Sequence, residues 1–119
     1  MKIAVTARGK DLEAEVDPRF GRAAYIVVVD TKTNEFEALD NSANVNAFKG
    51  AGIQAAGMVA DTGAKVLLTG HCGPKAFSAL KAGGIKVVND AHGTVKEAVQ
   101  SFVDGKYAYA EGADVGGHW

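Results

Sequence analysis

Residues 65–88 read KVLLTGHCGPKAFSALKAGGIKVV, and this stretch decides the fold. Lys65 to Thr69 is an apolar run with the length of a buried strand, Pro74 to Ala82 has helical character, and Ile85 to Val88 is a second short apolar run. Pro74 suits a first helical turn and Gly83-Gly84 suits a helix end. Strand, helix and strand in such close succession make a βαβ unit with two parallel strands.

Toward the start of the chain the rhythm changes. Lys2 to Ala7 is short, apolar and β-branched, and Ala23 to Asp30 contains the Tyr25-Ile26-Val27-Val28-Val29 run of a deeply buried strand. Thr31-Lys32-Thr33-Asn34 is turn-like, and Glu35-Phe36-Glu37-Ala38-Leu39 alternates polar with apolar as a half-exposed hairpin partner does. Gly50 to Thr62 reads as a weaker helix, with Ile53, Ala56, Val59 and Ala60 as its expected buried face and glycines that each cost about 1 kcal/mol of helix propensity. Beyond the βαβ unit, Thr94 and Glu97 have capping-box spacing ahead of Val95, Ala98, Val99, Phe102 and Val103, which recur at helical intervals before Gly105. The order β-β-β-α-β-α-β-α predicts an α/β fold. Its five-stranded mixed sheet has order 3-2-1-4-5, with strand 2 antiparallel, and three helices complete it.

Composition bounds the function. A chain of 119 residues with 47% hydrophobic and 23% charged residues suits a single domain over 1–106, followed by a Gly-rich irregular tail over 107–119 that holds Gly112, Gly116 and Gly117. Thirteen Lys and Arg nearly balance fourteen Asp and Glu, so no global field favours nucleic acid or a membrane, and charge specificity must be local. Met1-Lys2-Ile3-Ala4-Val5 enters a strand directly, no apolar run approaches bilayer length, and one cysteine cannot form an internal disulfide. A reducing cytoplasm is the expected location.

In the predicted sheet strands 1, 3, 4 and 5 leave through one edge, where open α/β sheets bind ligands. That edge collects residues 8–22, 41–49, 70–73 and 89–93. Arg8, Lys10, Arg19, Arg22, Lys49 and Lys75 are its cations, and Asp11, Glu13, Glu15 and Asp17 its acids. Arg19-Phe20-Gly21-Arg22 sets two guanidinium groups beside a backbone turn, and arginine forks suit oxyanions and other compact multi-acceptor anions. The plainer reading has Phe20 closing the core while both arginines face water. At Gly70-His71-Cys72-Gly73 a strand exit meets a helix start, so backbone N–H groups converge. A helix N-terminus beside His71 favours the Cys72 thiolate, although a lone cysteine is also a common small core residue. One Cys and one His do not complete a structural zinc site, which takes four ligands; His92 on the adjacent loop is the third candidate ligand, and His118 would require the tail to fold back.

Several enzymes are disfavoured. Neither Gly-x-x-x-x-Gly-Lys-Ser/Thr nor Gly-x-Gly-x-x-Gly occurs. The residues after Cys72 are Gly73-Pro74-Lys75-Ala76-Phe77-Ser78, without the arginine that closes a cysteine phosphatase loop. Strands 1 and 4 carry no acid, so a two-metal nuclease lacks its carboxylates.

The ordered set of Met1-Lys2-Ile3-Ala4-Val5, Phe20-Gly21-Arg22-Ala23, the Gly/Ala helix, Gly70 with Gly73-Pro74-Lys75-Ala76, Gly84-Ile85-Lys86-Val87 and Gly93-Thr94-Val95-Lys96-Glu97-Ala98 resembles the dinitrogenase iron–molybdenum cofactor biosynthesis family, to about Lys106. The resemblance implies a ribonuclease-H-like three-layer α/β fold and binding or carriage of metal–sulfur clusters without turnover. Within the family the chain looks most like the orange proteins of anaerobic bacteria. That likeness implies a molybdenum–copper sulfide cluster held noncovalently, with an iron–molybdenum cofactor precursor as the alternative cargo. A cluster that brings its own sulfide needs N–H donors and cations more than a full ligand set. On this reading Arg8, Arg19, Arg22, Lys49 and Lys75 pair charge, Gly70, His71, Cys72 and Gly73 form a backbone cradle, and His71 and His92 donate hydrogen bonds. Transient metal ligation falls to His71, Cys72 and His92. A regulatory adaptor that binds a protein partner such as an ATPase is the competing role.

Overall fold

The computed structural model describes residues 1–45 and 50–111. Among these residues nine elements follow one another: β1 (Lys2–Ala7), β2 (Tyr25–Asp30), β3 (Phe36–Asp40), α1 (Ser42–Val45), α2 (Ala51–Asp61), β4 (Val66–Leu68), α3 (Pro74–Ala82), β5 (Lys86–Val88) and α4 (Val95–Val103). The sheet has order β3-β2-β1-β4-β5. β2 is antiparallel to both β1 and β3, whereas β4 is parallel to β1 and to β5. Four strands therefore leave through one edge, as the sequence predicts.

Alternation along the strands sorts the core into two halves. Ala4, Ile26, Val28, Leu67 and Val87 face Ala55, Ala56 and Val59 of α2 and Ala76 and Leu80 of α3. Ile3, Val5, Val27, Val29, Val66, Leu68 and Val88 face Val95 and Ala98 of α4. This is a three-layer stack. Each fully buried Val or Leu contributes about 1.5–3 kcal/mol, so the central strands hold the frame on which the loops are mounted.

Two local expectations change. Among the described residues four helices form where three are predicted. The added helix, α1, is a single turn anchored by Ser42 N–H donating to Asp40 Oδ1 (2.8 Å), and four residues are too few to show helical periodicity. On α2 the buried face is Ala51, Ala55, Ala56 and Val59, while Ile53 and Ala60, expected inside, are exposed. The face is chosen by close approach of small residues to α3, since a Cβ on Gly52 would come within 2.9 Å of Ala76 Cβ. A face of alanines permits that approach; one centred on Ile53 would hold the helices apart.

Residues 107–111 form neither helix nor strand, yet Ala110 N–H donates to Val87 O at 2.7 Å along the outer edge of β5. The tail's Gly112, Gly116, Gly117, His118 and Trp119 lie outside the described residues, as does Lys49. No described helix is long and apolar enough to cross a membrane.

Candidate functional site

The long connection between β1 and β2 is knitted over the exits of β1, β4 and β5. Thr6 lies at the centre: its hydroxyl donates to Asp17 O (2.6 Å) and meets Thr69 Oγ1 at 2.9 Å, both buried, while Asp17 N–H donates to Thr6 O (2.9 Å). Asp17 Oδ1 accepts from Arg19 N–H at 3.0 Å and sits 3.7 Å from Arg19 Nε, with the Asp17 side chain 7% and the Arg19 side chain 53% exposed. The carboxylate thus turns the chain back toward β4 and holds the root of the guanidinium. At β4 His71 N–H donates to Pro18 O (2.6 Å) and Phe20 N–H to His71 O (3.2 Å), an isolated parallel bridge pairing Arg19 with His71.

Glycine is required at two points here. A Cβ on Gly70 would lie 2.5 Å from Pro18 Cα. Gly21 has φ +88°, and a Cβ there would meet Gly52 N and Cα at 3.0 Å. The Phe20-Gly21-Arg22 turn consequently rests on the first turn of α2, which in turn touches Ala76 in the first turn of α3. Both helices start from a glycine, Gly50 for α2 and Gly73 for α3, with no side-chain cap and no acid in the first turn. α4 is different: Thr94 accepts from Glu97 N–H (3.1 Å) and Glu97 Oε1 accepts from Thr94 N–H (2.9 Å). Hydrogen bonds to the carboxyl from Thr94, the backbone N–H first, hold Glu97 below its usual value. Neither Gly50 nor Gly73 offers a side-chain cap of this kind to the first N–H groups of α2 and α3, and the positive ends of the two helix dipoles lie together.

The structure divides the sequence candidates. Arg19, Arg22, Gly70, His71, Gly73 and Lys75 belong to the side of the edge where α2 and α3 begin. Phe20 closes the core there; Arg22 and His71 are half-buried, and Lys75 is exposed in the first turn of α3. Arg8 is exposed at the base of a loop whose Ala14 and Leu12 carbonyls accept from Val95 and Lys96 of α4. His92 is exposed on the loop into α4, with Nδ1 3.0 Å from Asp90 O and its ring edge-on to Tyr107. Lys10 is exposed and lies over the Tyr25 ring, 5.5 Å from its centroid.

Cys72 is placed apart from the other members of the expected ligand trio. It is wholly buried among the side chains of the α2–α3 half of the core, with Sγ 3.6 Å from Gly73 O. Successive residues of an extended segment point to opposite sides, so when His71 lies beside Arg19, Cys72 turns inward. Among the described residues no group of three or more His, Cys, Asp or Glu is placed to hold a metal ion, and His71, Cys72 and His92 form none.

Two parts of the site escaped the sequence reading. One is the Thr6–Thr69–Asp17 network. The other is Asn41, wholly buried just beyond β3, whose amide donates to Ala23 O (2.8 Å) and Gly21 O (3.3 Å). Cavities of about 270 and 390 Å³ lie elsewhere, the first beside Lys2, Asp30 and Glu37 and the second beneath Tyr109 and Ala110. The loop edge is an open cradle of backbone and cations, suited to a compact surface-bound anion.

Comparison with known proteins adds to this geometry. The sequence profile described as dinitrogenase iron-molybdenum cofactor matches residues 1–105. The apo form of the orange protein from Desulfovibrio gigas superposes with a TM-score of 0.94 at 54% identity, covering 96% of each chain. A putative NifB protein from Thermotoga, of the DUF35 family, superposes with a TM-score of 0.79 at 32% identity over 91% of each chain. An uncharacterised protein of Methanocaldococcus jannaschii is 30% identical over 109 residues, 89% of this chain and 88% of its own.

Proposed function

The chain belongs to the dinitrogenase iron-molybdenum cofactor family, and on that footing we propose that it binds and carries an anionic metal–sulfur cluster without chemical turnover. The observation that carries the proposal is the meeting of two glycine-started helix N-termini, with no side-chain cap from the glycine and no acid in the first turn, with the Arg19–Arg22 turn at a glycine-lined contact. Backbone N–H groups supply fixed donors, and Arg19, Arg22 and Lys75 supply positive charge. The donor set fits a cargo whose metals are already coordinated by sulfide, because the described side chains offer no three-ligand group. Sulfide at the cluster surface accepts hydrogen bonds and carries the negative charge that the cradle complements. All these residues lie within 1–106, the span read as the binding domain.

A molybdenum–copper sulfide cluster is the preferred cargo. The 54% identity to the orange protein from Desulfovibrio gigas, at matching length, supports it. An iron–molybdenum cofactor precursor is favoured instead by the description of the family. Metal analysis separates the two. Protein purified anaerobically from its native host is expected to be coloured and to contain molybdenum with copper; iron with molybdenum would select the precursor. Colourless, metal-free protein that also fails to take up thiomolybdate and copper would exclude both.

A further inference from the structure

We propose that Asn41 is a positioning residue that sets Arg22 for the anionic cargo, an inference that rests on the cluster-binding reading and extends it to a residue outside the cradle. Asn41 is wholly buried immediately after β3. Its Nδ2 donates to Gly21 O at 3.3 Å and to Ala23 O at 2.8 Å, the carbonyls on either side of Arg22. One amide therefore grips the backbone before and after a single residue. Two carbonyl acceptors also fix which way the amide points.

The grip is itself braced. Asn44 Nδ2 donates to Asn41 Oδ1 at 2.7 Å and lies 2.9 Å from Met58 Sδ on α2, while Asn41 N–H donates to Ala24 O at 3.0 Å. Arg22 N–H closes the turn onto Arg19 O at 3.3 Å. A buried amide is costly unless satisfied, and satisfying this one requires Gly21 and Ala23 to stay where they are. On the other side Gly21 abuts Gly52, so the turn is held between Asn41 and the N-terminus of α2. Arginine loses much side-chain freedom on engaging a ligand, and a fixed backbone root reduces what remains to be ordered at binding. Asn41 is thus expected to act on cargo through Arg22 without touching the cargo.

The test compares wild type, Asn41→Ser, Arg22→Gln and the double variant, with Asn44→Ala as a milder second route should Asn41→Ser fold poorly. Cargo-free protein is read first, by heteronuclear relaxation of backbone amides. Arg22 and its neighbours are expected to lose order in Asn41→Ser and, to a smaller extent, in Asn44→Ala, while α4 amides are unchanged. Unaltered order at Arg22 in both variants overturns the inference whatever the cargo does. Uptake of tetrathiomolybdate with copper is read second, by visible absorption across a salt series. Asn41→Ser is expected to weaken uptake by about tenfold and flatten its salt dependence, with no further loss on adding Arg22→Gln. Additive losses in the double variant would overturn it. Wild type that takes up no cluster would refute the cargo reading and leave the relaxation result to decide the role of Asn41.

Discussion

Arg19 and His71 stand directly opposite one another in a single parallel bridge, made by His71 N–H to Pro18 O (2.6 Å) and Phe20 N–H to His71 O (3.2 Å). Paired residues of parallel strands direct their side chains to the same side. The backbone bridge thereby starts the Arg19 and His71 side chains from the same side at the point where β4 gives way to α3. It exists because Gly70 lets Pro18 pass at a distance no side chain tolerates. Gly70→Ala places a Cβ 2.5 Å from Pro18 Cα and is expected to cost about 1–3 kcal/mol, read by urea denaturation, and to weaken cargo uptake. Gly57→Ala is the contrasting substitution. It lies inside α2 with nothing within 4 Å of the added Cβ, and is expected to stabilise by about 0.5–1 kcal/mol with uptake unchanged.

Arg19 is paired with Asp17 but its side chain remains 53% exposed, so this contact contributes little to stability. Arg19→Gln is expected to change unfolding free energy by less than about 1 kcal/mol while weakening tetrathiomolybdate–copper uptake about tenfold at low salt. Raising the salt concentration should narrow the difference between variant and wild type. A large stability loss with unchanged uptake would make Arg19 a structural residue only.

Cys72 sits in the core, and Cys72→Ala is expected to cost about 1 kcal/mol, the scale of a single deleted heavy atom, with uptake within about twofold of wild type. In the native protein the thiol should resist a water-soluble thiol reagent until denaturant is added. Rapid native labelling together with loss of uptake in Cys72→Ala would return the thiol to the binding site.

The α4 capping box links stability to pH. Glu97 is held below its ordinary value of 4.5 chiefly by the Thr94 backbone N–H, so its folded-state pKa is depressed. The resulting stabilisation is complete above the ordinary value and is lost as pH falls through the lower folded-state value. Asp30 and Asp40 are lowered in the same direction, by hydrogen bonds from Lys32 and Ser42. Thermal denaturation across the acid range should show Glu97→Gln losing less stability on acidification than wild type. At neutral pH Thr94→Ala should cost about 1 kcal/mol by removing the cap.

The fold was legible because burial patterns repeat locally. Tyr25 to Val29 is an unbroken apolar run, Pro74 and Gly83 bracket α3, and Thr94 with Glu97 announces α4, so the elements and their order along the chain could be read. Long-range hydrogen bonds carry no such signature. Thr6 and Thr69 are 63 positions apart, and nothing in either strand marks the pair as meeting at 2.9 Å. Asn41 reads as loop polarity until the carbonyls that flank Arg22 close around it. For Cys72 the neighbour His71 was plain, but not the alternation that leaves His71 half-buried and turns Cys72 into the core.

On the proposed reading, backbone N–H groups and arginines hold a cluster that supplies its own sulfur. The most direct measurement adds copper and tetrathiomolybdate to metal-free wild type, Cys72→Ala and Arg19→Gln/Arg22→Gln under anaerobic conditions, followed by gel filtration and metal analysis of the protein peak. A visible band is expected that saturates and co-elutes with molybdenum and copper in wild type and Cys72→Ala, and is lost in the arginine double variant. Retention by the double variant with loss in Cys72→Ala, or no retained metal in wild type, would contradict it.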